Sequence, residues 1–439
     1  MTNMHIILGA GITGLAAGYF LSENGCRYII LEKEREIGGL CRSLFVDGFT
    51  FDYTGHCIHL STEWGRRFII DELLTKNSVE VIKHRRSSYI YLYGKYIPYP
   101  IQAHLWWLPK RVKDRVIEEL FILRCRPQKH KKDSEKFSMW VRNVFGLTLY
   151  RNFFLPYNSK VWNYALDELT SEWTKKFIPQ PSFEEFILGY VLGKKKDFGY
   201  NVDFYYPLHG GISALVSSIG RNSSGNIVCG CEVKEIDWRK KVVCFNKEKV
   251  KYKILINTIP LPELLSLVKD LPSRIKYIGR KLSWASVYCV NIGAKKTFHK
   301  KMHWMYIPDR KYKFYRVGFY NNFSPYSVPS SKCMGMYIEV GVRGKKKVIN
   351  IKQLERMVIS GLMDMGILKS GSDVYVVNTL YIPYGYVIYN RAREKFLGEV
   401  FEFFRRNGIY SIGRYGGWKY SFIEENIIDA RDTVKNILY

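Results

Sequence analysis

The clearest pattern of apolar and polar positions lies in the first sixty residues. The apolar run His5–Leu8 is typical of a buried parallel strand, and apolar positions at helical spacing predict a helix over residues 15–23. A second apolar run, Tyr28–Leu31, predicts a strand that ends on Glu32. The order strand, helix, strand and acid predicts a βαβ unit.

Three glycines separate the first strand from the helix as G-x-G-x-x-G. Gly9 allows the tight turn, Gly11 lets the backbone approach a pyrophosphate, and Gly14 lets helix and strand pack closely. The helix N-terminus offers N–H groups and partial positive charge to phosphates. Glu32, about twenty residues beyond the glycines, is expected to hydrogen-bond a ribose. The unit therefore predicts dinucleotide binding; the alternative is a glycine-rich turn in an unrelated α/β unit.

The remaining chain alternates between strand-like and helix-like patterns. In sequence order, these patterns predict a hairpin at 88–100 turning at Gly94, amphipathic helices at 111–123 and 184–192, a break at 205–211 with a helix through Ile219, short strands within 226–243, a buried strand at 254–260, strands at 285–292 and 334–342, and a strand, glycine turn and helix over 408–439.

Composition adds modest constraints. At 439 residues, with 47% hydrophobic and 25% charged residues, the chain is expected to fold into two or three domains. No run reaches the length of a membrane span, and the first strand leaves no room for a signal peptide, so we expect a cytoplasmic protein. The nine cysteines lack metal-binding spacing, which favours reduced thiols and no metal site.

The net charge of +28 leaves three classes of partner open: nucleic acid, an anionic membrane surface and a polyanionic small substrate. Small basic clusters lie at 124–132, 194–196 and 343–347, without a nucleic-acid-binding signature. We interpret most of this charge as solvated surface and expect no nucleic-acid partner.

The segment that follows the βαβ unit distinguishes the cofactor. Residues 34–43 read E-x-x-x-G-G-L-C-R-S, in which Gly38 and Gly39 make a second backbone approach beyond the ribose. This pattern resembles the FAD-binding segment of the superfamily of amine oxidases, protoporphyrinogen oxidases and UDP-galactopyranose mutases. The resemblance implies an α/β fold with a discontinuous Rossmann-like FAD-binding domain, a helical insertion domain and a mixed β-sheet domain.

The expected domain boundaries follow the changes of pattern. The FAD-binding domain is predicted to comprise 1–85, 201–265 and 396–439, and the sheet domain 86–104 and 266–395, with a helical substrate or oligomerisation domain at 105–200.

Further segments, in order along nearly the whole chain, resemble UDP-galactopyranose mutases. They are the strand pair and loop at 89–110 (YIYLYGKYIPYPIQAHLWWLPK), P-Y-N-S-K-V-W at 156–162, P-x-x-G-G at 207–211, W-M-Y at 304–306, F-Y-R-V-G-F-Y-N-N-F-S-P-Y at 314–326, G-Y at 385–386 and G-R-Y-G-G-W-K-Y at 413–420. Asn321 and Val387 depart from that family's serine and proline.

The resemblance implies roles for individual residues. Cofactor contacts are expected from Gly9, Gly11, Gly14, Glu32, Gly39, Arg42, Gly55, His56, Val233, Gly413 and Arg414. Substrate contacts are expected from Tyr99, Gln102, Asn158, Trp162, Tyr306, Arg316, Tyr386 and Tyr420. Three residues are expected to be catalytic. His56 would lie on a mobile loop at the flavin, and Arg316 would bind the substrate diphosphate. Lys176 would take the place of the family's second diphosphate arginine.

The implied activity is a pyranose–furanose mutase acting on a nucleoside-diphosphate sugar similar to UDP-galactose. Reduced FAD, with NAD(P)H as the expected reductant, supplies N5 as the nucleophile for the anomeric carbon. A homo-oligomer is also expected. The alternatives are an FAD oxidase or dehydrogenase of the protoporphyrinogen oxidase or amine oxidase type, and a non-catalytic basic surface binder.

Overall fold

The computed structural model describes residues 4–125, 135–193, 202–344 and 350–439. In these ranges the chain forms nineteen strands and fourteen α-helices. The strands are β1 (His5–Leu8), β2 (Tyr28–Leu31), β3 (Ser43–Val46), β4 (Phe49–Asp52), β5 (Val81–Arg85), β6 (Ser88–Leu92), β7 (Lys95–Pro98), β8 (Asp203–Pro207), β9 (Ile227–Val228), β10 (Val233–Asp237), β11 (Val242–Phe245), β12 (Glu248–Lys251), β13 (Ile254–Asn257), β14 (Trp284–Lys295), β15 (Trp304–Tyr306), β16 (Arg316–Phe319), β17 (Cys333–Arg343), β18 (Val374–Val387) and β19 (Ile409–Ser411). The helices are α1 (Ile12–Glu23), α2 (Glu63–Arg66), α3 (Lys110–Cys125), α4 (Phe137–Leu149), α5 (Leu155–Trp162), α6 (Thr174–Phe177), α7 (Phe183–Val191), α8 (Ser213–Gly220), α9 (Leu261–Leu267), α10 (Ser273–Gly279), α11 (Ile351–Asp364), α12 (Arg391–Arg406), α13 (Gly413–Gly416) and α14 (Ile423–Leu438).

A five-stranded parallel sheet forms the first layer, in the order β19-β13-β1-β2-β9. Its central strand β1 is buried on both faces, as its continuous apolar run predicts. Ile7 packs with residues of α1 and α14 on one face, whereas Ile6 and Leu8 join the apolar cluster on the other. The strands come from three distant parts of the sequence.

A seven-stranded mixed sheet forms the second layer, in the order β18-β14-β17-β16-β15-β6-β7. Neighbouring strands are antiparallel except β15 and β6. Helix α11 covers one face, and the β3–β4 hairpin packs its buried phenylalanines, Phe49 and Phe51, on the other. The predicted α/β fold class is confirmed, with one parallel and one mixed sheet.

Most predicted elements lie where the patterns place them. The hairpin at 88–100 turns at Tyr93 and Gly94, both with positive φ, and the predicted helices at 111–123 and 184–192 correspond to α3 and α7. Helix α1 begins at Ile12 rather than at residue 15, because Gly11 already acts as its N-cap.

One predicted break was wrong in part. Residues 205–207 complete β8, which pairs with β5, so the turn begins only at Leu208. The aromatic residues Tyr205 and Tyr206 extend the strand because their neighbours on β5 complete the backbone hydrogen bonds.

The predicted domain division remains a prediction. Its boundary at 265/266 falls within α9 and that at 395/396 falls within α12, so neither coincides with a loop. Of the predicted basic clusters, 194–196 lies outside the described residues, and 124–132 and 343–347 lie mostly outside them. Among the described helices, none is both long and apolar enough to cross a membrane.

Candidate active site

The turn between β1 and α1 forms a cradle for an anion. Gly11 caps α1 without a side-chain hydrogen bond, and the first turn of the helix carries no acidic residue. A Cβ atom on Gly14 would lie 1.9 Å from the carbonyl oxygen of Gly9. Gly9 itself has a φ of +93°, which residues other than glycine rarely adopt. Only glycine fits these two positions, so the turn leaves backbone N–H groups and the positive end of the helix dipole available to phosphates.

Glu32 lies beside this cradle at the end of β2. Its carboxylate, 7% exposed, accepts hydrogen bonds from the backbone N–H of Ala10 at 2.7 Å and of Glu34 at 2.9 Å. These two bonds fix the carboxylate and leave further lone pairs for a ribose hydroxyl pair. The N–H of Gly38 donates to the carbonyl of Ala10 at 2.7 Å, which holds the second glycine pair against the first turn.

The cradle opens into a cavity of about 730 Å³, within the size range of ligand pockets. Nearly all the predicted site residues line it. At the cradle end these are Gly9, Gly11, Glu32, Gly39, Arg42 and Val233. At the far end they are Tyr99, Gln102, Asn158, Trp162, Tyr306, Arg316, Tyr386 and Tyr420, together with Gly55, His56 and Arg414, which lie close to Tyr337, Arg316 and Tyr420 respectively.

Two predicted glycines support the cavity from outside its lining. Gly14 packs against Gly9 as described above. A Cβ atom on Gly413 would lie 2.4 Å from Oγ1 of Thr13, and Gly413 has a φ of +75°. Gly413 therefore lets the C-terminal turn pack closely against α1, which places the neighbouring Arg414 in the cavity.

Arg316 is the main cation at the far end. It faces Glu339 on the adjacent strand, where its Nε donates to Oε2 at 2.9 Å and its Nη2 donates to Oε1. Glu339 is fully buried, whereas the Arg316 side chain remains 19% exposed. The ion pair uses two of the five guanidinium N–H donors and leaves three for a ligand.

Arg316 stays positively charged although its guanidinium is largely buried. Burial disfavours the charged form, but Glu339 and the surrounding tyrosines outweigh burial and raise the pKa of Arg316 above its ordinary value. The Tyr337 ring lies 5.8 Å from the guanidinium carbon and further restricts the side chain. The site thus holds a fixed, permanently charged group.

Tyrosine rings form much of the wall around Arg316. The ring centroids of Tyr99 and Tyr306 lie 5.0 Å apart, those of Tyr157 and Tyr306 5.5 Å, and those of Tyr386 and Tyr420 5.8 Å. Burial raises the pKa of Tyr99, Tyr157, Tyr306 and Tyr386, so these hydroxyls stay protonated at neutral pH. The wall can donate hydrogen bonds and also offer apolar faces.

Helix α5 supplies another part of the wall. Within it, Nε1 of Trp162 donates to Oδ1 of Asn158 at 3.0 Å, and Nδ2 of Asn158 donates to the carbonyl of Phe154 at 2.8 Å. These bonds fix both side chains. Across the cavity, Nε2 of Gln102 donates to the carbonyl of Pro179 at 2.6 Å.

Lys160, also on α5, ties this helix to the segment between β15 and β16. Its Nζ donates to the carbonyls of Ile307 at 2.8 Å and Phe314 at 3.3 Å, and also to that of Asp309. Burial lowers the pKa of Lys160 to about 7, against the opposing charge of Asp309. Because the segment joins Tyr306 to Arg316, Lys160 fixes both residues relative to helix α5.

The loop carrying His56 packs tightly over the mixed sheet. A Cβ atom on Gly55 would lie 2.1 Å from the Tyr337 hydroxyl, so no larger residue fits there. Nδ1 of His56 lies 3.3 Å from Oγ1 of Thr54. Burial, reinforced by the charges of Arg414 and Arg316, lowers the pKa of His56 to about 4. His56 is therefore neutral at physiological pH.

Arg414 joins the C-terminal turn to the mixed sheet. Its Nη1 donates to the carbonyl of Ser421 at 3.1 Å and its Nη2 to that of Gly385 at 3.0 Å. Its guanidinium carbon lies 4.5 Å from the ring centroid of Tyr420. Arg414 thereby orders Tyr420 and the strand end that carries Tyr386.

Lys176 does not join the cavity lining. Its ammonium donates to the carboxylate of Glu425 at the start of α14, whereas its neighbours Trp173 and Phe177 line the cavity. In this arrangement Glu425 provides the counter-ion of Lys176, and its role as a second diphosphate cation stays a prediction.

Two cavity residues, Tyr157 and Tyr337, and two residues that hold the cavity wall in place, Glu339 and Lys160, were missed at the level of sequence. Tyr337 lies in an apolar stretch typical of core, and Tyr157 lies in the P-Y-N-S-K-V-W segment without a signal of its own. Glu339, the only acid in the apolar stretch 334–342, and Lys160, a cation between Asn158 and Trp162, carried a detectable signal: a charge in a buried element needs a partner. No group of three or more metal-ligating side chains occurs among the described residues.

The residues fit FAD. The glycine cradle with its uncapped helix accepts a pyrophosphate, Glu32 accepts a ribose, and the second glycine pair permits close approach beyond it.

Comparisons with known proteins agree on the cofactor. The profile of the family described as flavin-containing amine oxidoreductase matches residues 12–356. A solved structure of reduced UDP-galactopyranose mutase superposes with a TM-score of 0.91 at 26% identity, covering 100% of this chain and 94% of that one. A putative protoporphyrinogen oxidase from Exiguobacterium sp. 255-15 superposes with a TM-score of 0.76 at 16% identity, covering 100% and 99%. The prediction of FAD is confirmed.

Curated relatives match over a short segment. A 4,4'-diapophytoene desaturase from Methylomonas sp. is 51% identical over 85 residues, which are 19% of this chain and 14% of that protein. Another from Staphylococcus aureus (strain MRSA252) is 34% identical over 85 residues, 19% of this chain and 16% of that protein. The chain thus spans about a sixth of the length of these relatives.

Proposed function

The chain belongs to the flavin-containing amine oxidoreductase family, and we propose that within it this protein is an FAD-dependent mutase acting on a nucleoside-diphosphate sugar. The reaction interconverts the pyranose and furanose forms of the sugar. NAD(P)H is the proposed source of the reducing equivalents.

One observation carries the proposal. The cavity that begins at the FAD cradle reaches Arg316, a cation held by Glu339 through two of its N–H donors, while the other three have no acceptor among the described residues. The oxygens of a diphosphate can accept the remaining N–H groups of the guanidinium, which Glu339 holds charged and oriented, whereas a protonated amine or a hydrocarbon offers these N–H groups no acceptor. The solved mutase structure supports the same substrate class, since it is similar along the full chain.

Reduced FAD, when bound, supplies a nucleophilic nitrogen for the anomeric carbon. The chain's own groups bind and orient the sugar nucleotide. Arg316 donates its remaining N–H groups to the departing diphosphate, and the neutral hydroxyls of Tyr306 and Tyr386 donate hydrogen bonds to its oxygens. The aromatic wall excludes water and so limits hydrolysis of the sugar while it is detached from the nucleotide.

The decisive assay compares redox states. Enzyme reduced with dithionite or NAD(P)H is incubated with UDP-galactopyranose or UDP-galactofuranose, and the two forms are separated by chromatography. We expect interconversion by the reduced enzyme and none by the oxidised enzyme. Equal rates in both redox states would contradict the proposed chemistry.

A second candidate is an FAD oxidase or dehydrogenase. The matches to desaturases and to a putative protoporphyrinogen oxidase favour it, and the many aromatic lining residues are compatible with an apolar substrate. Such an enzyme would not need the Arg316 fork. Net oxidation of an amine, a porphyrinogen or a polyene, retained after replacement of Arg316, would favour this candidate over the mutase.

A further inference from the structure

The proposed active site accounts for little of the net charge of +28. Part of the remaining charge gathers at one end of the mixed sheet. Six lysines there, from three separate segments, form what we call the basic surface: Lys295, Lys296, Lys300, Lys301, Lys332 and Lys369.

Backbone contacts bring the three segments together. Strand β14 ends at Lys295, which pairs with Cys333 at the start of β17. The N–H of Lys296 then donates to the carbonyl of Lys332 at 2.8 Å. Oγ1 of Thr297 donates to the carbonyl of Ile367 at 2.7 Å, which places the segment of Lys369 beside the first two.

The six ammonium groups have no counter-ion within the described part of the chain. Among the described residues, no carboxylate lies within ion-pair distance of any of them, and five of the six lysines are exposed. Lys311, by contrast, pairs with Asp364. Asp373, the acid nearest to Lys369 in sequence, is already engaged: its Oδ2 accepts the N–H groups of Lys369 at 3.1 Å and Ser370 at 2.9 Å.

An exposed aromatic residue accompanies the lysines. Gly293 pairs with Val376 and Ala294 with Val374, so Tyr375 is the extra residue of a bulge at this end of the sheet. Its side chain is 58% exposed. Tyrosine is enriched at membrane–water interfaces because its ring is apolar and its hydroxyl is polar.

The basic surface is remote from the active site. Ala285 pairs with Tyr386 of the cavity, and Lys295 lies ten residues farther along β14, a distance of about 30 Å at the ordinary strand rise. None of the six lysines lines the cavity. A partner bound here leaves the cavity mouth accessible to substrate, so docking and catalysis can be measured separately.

We propose that the basic surface docks the protein onto anionic lipid bilayers. Its charge is spread over three segments, which suits an extended anionic surface better than one small anion. It contains lysines but no arginine, the residue whose fork dominates direct readout of nucleic-acid bases. Repulsion between like charges disfavours a second copy of the same surface.

The test measures binding of the full-length flavoprotein to sedimented vesicles of phosphatidylcholine alone, or of phosphatidylcholine with about one third phosphatidylglycerol. We expect binding only to the anionic vesicles, weakening as salt rises. Each lysine near an anionic surface contributes about fivefold to partitioning. The variant K296E/K300E/K301E should therefore lower the partition coefficient by at least about a hundredfold.

The matched control is K240E/K249E/K251E on the β10–β12 sheet, which makes the same change in net charge at exposed lysines that have no ion pair with any described residue. It should retain most of the binding. Both variants should keep bound flavin and the basal activity of the parent protein. Equal losses in the two variants, no binding to anionic vesicles, or a preference for duplex DNA that depends on the same three lysines would overturn the proposal.

Discussion

The two ends of the cavity are built in different ways. The cradle end comes mainly from one stretch of chain, residues 5–42, in which two strands, one helix and the glycine turns are neighbours in sequence. The far end combines β6–β7, α5, β15, β16, β18 and the C-terminal turn. Local backbone geometry determines the first, whereas side chains from remote segments determine the second.

This difference has a functional consequence. A cradle made of backbone atoms binds a group common to many enzymes and tolerates little change. A wall made of side chains on separate elements can be altered one residue at a time, so substrate choice can diverge while the cofactor stays the same. Substitutions at the two ends should therefore have effects of different kind and size.

The largest effect is expected at the cradle. Gly14→Ala places a Cβ atom 1.9 Å from the carbonyl oxygen of Gly9, and neither backbone segment can move without disturbing α1. We expect loss of bound flavin, measured by visible absorbance of the purified protein. Gly398→Ala is the control, because a Cβ atom there meets nothing within 4 Å. Normal flavin content in the Gly14 variant would contradict the conclusion that the cradle tolerates little change.

The next largest effect is expected at Arg316. Because removal of one partner of a buried ion pair costs about 3–5 kcal/mol, the sharper test replaces both as R316Q/E339Q. This neutral pair should retain flavin and fold but lose about a hundredfold in affinity for UDP-galactose, measured by calorimetry. The control R280A removes an exposed arginine and should change neither quantity. Unchanged affinity in the double variant would show that Arg316 does not bind the diphosphate of UDP-galactose.

An intermediate effect is expected at Lys160. Its pKa of about 7 means that, as pH rises from 6 to 9, the ammonium loses one of the three protons shared among three carbonyls. One buried carbonyl then lacks a donor, so affinity for UDP-galactose should fall about fivefold across this range. UDP-galactose itself has no diphosphate titration in that window.

The variant Lys160→Met separates positioning from direct binding. It should bind UDP-galactose weakly at pH 6 and show no further fall by pH 9. Flavin content should stay normal, since the ammonium of Lys160 contacts the segment between β15 and β16 and not the residues of the cradle. A parent enzyme with constant affinity across the range, or a Met variant that keeps the pH dependence, would contradict the role given to Lys160.

The smallest effect is expected at Lys176. Its ammonium is paired with Glu425 and lies outside the cavity lining, so Lys176→Ala should change the dissociation constant for UDP-galactose by less than about threefold. A loss as large as that of the Arg316 double variant would show that Lys176 turns into the cavity when substrate binds.

The same contrast explains what sequence could predict. The cradle could be predicted from the sequence because its residues are close together in the chain. Gly9, Gly11 and Gly14 stand at a fixed spacing, and Glu32 follows the second strand. The far end was located through collinear motifs, which identified Arg316 and Tyr386. The Glu339 partner and the Lys160 bridge arise from strand register and helix docking, which single-residue patterns do not specify. The basic surface likewise required the pairing of β14 with β17.

The central claim is that one cavity holds both the flavin and a diphosphate-linked sugar, and titration of the bound flavin with UDP-galactose tests it most directly. Visible absorbance of the flavin should change in a saturable manner, with a midpoint equal to the dissociation constant from calorimetry, and the change should vanish in R316Q/E339Q. An unaltered flavin spectrum at concentrations where UDP-galactose binds would place the nucleotide elsewhere and contradict the account.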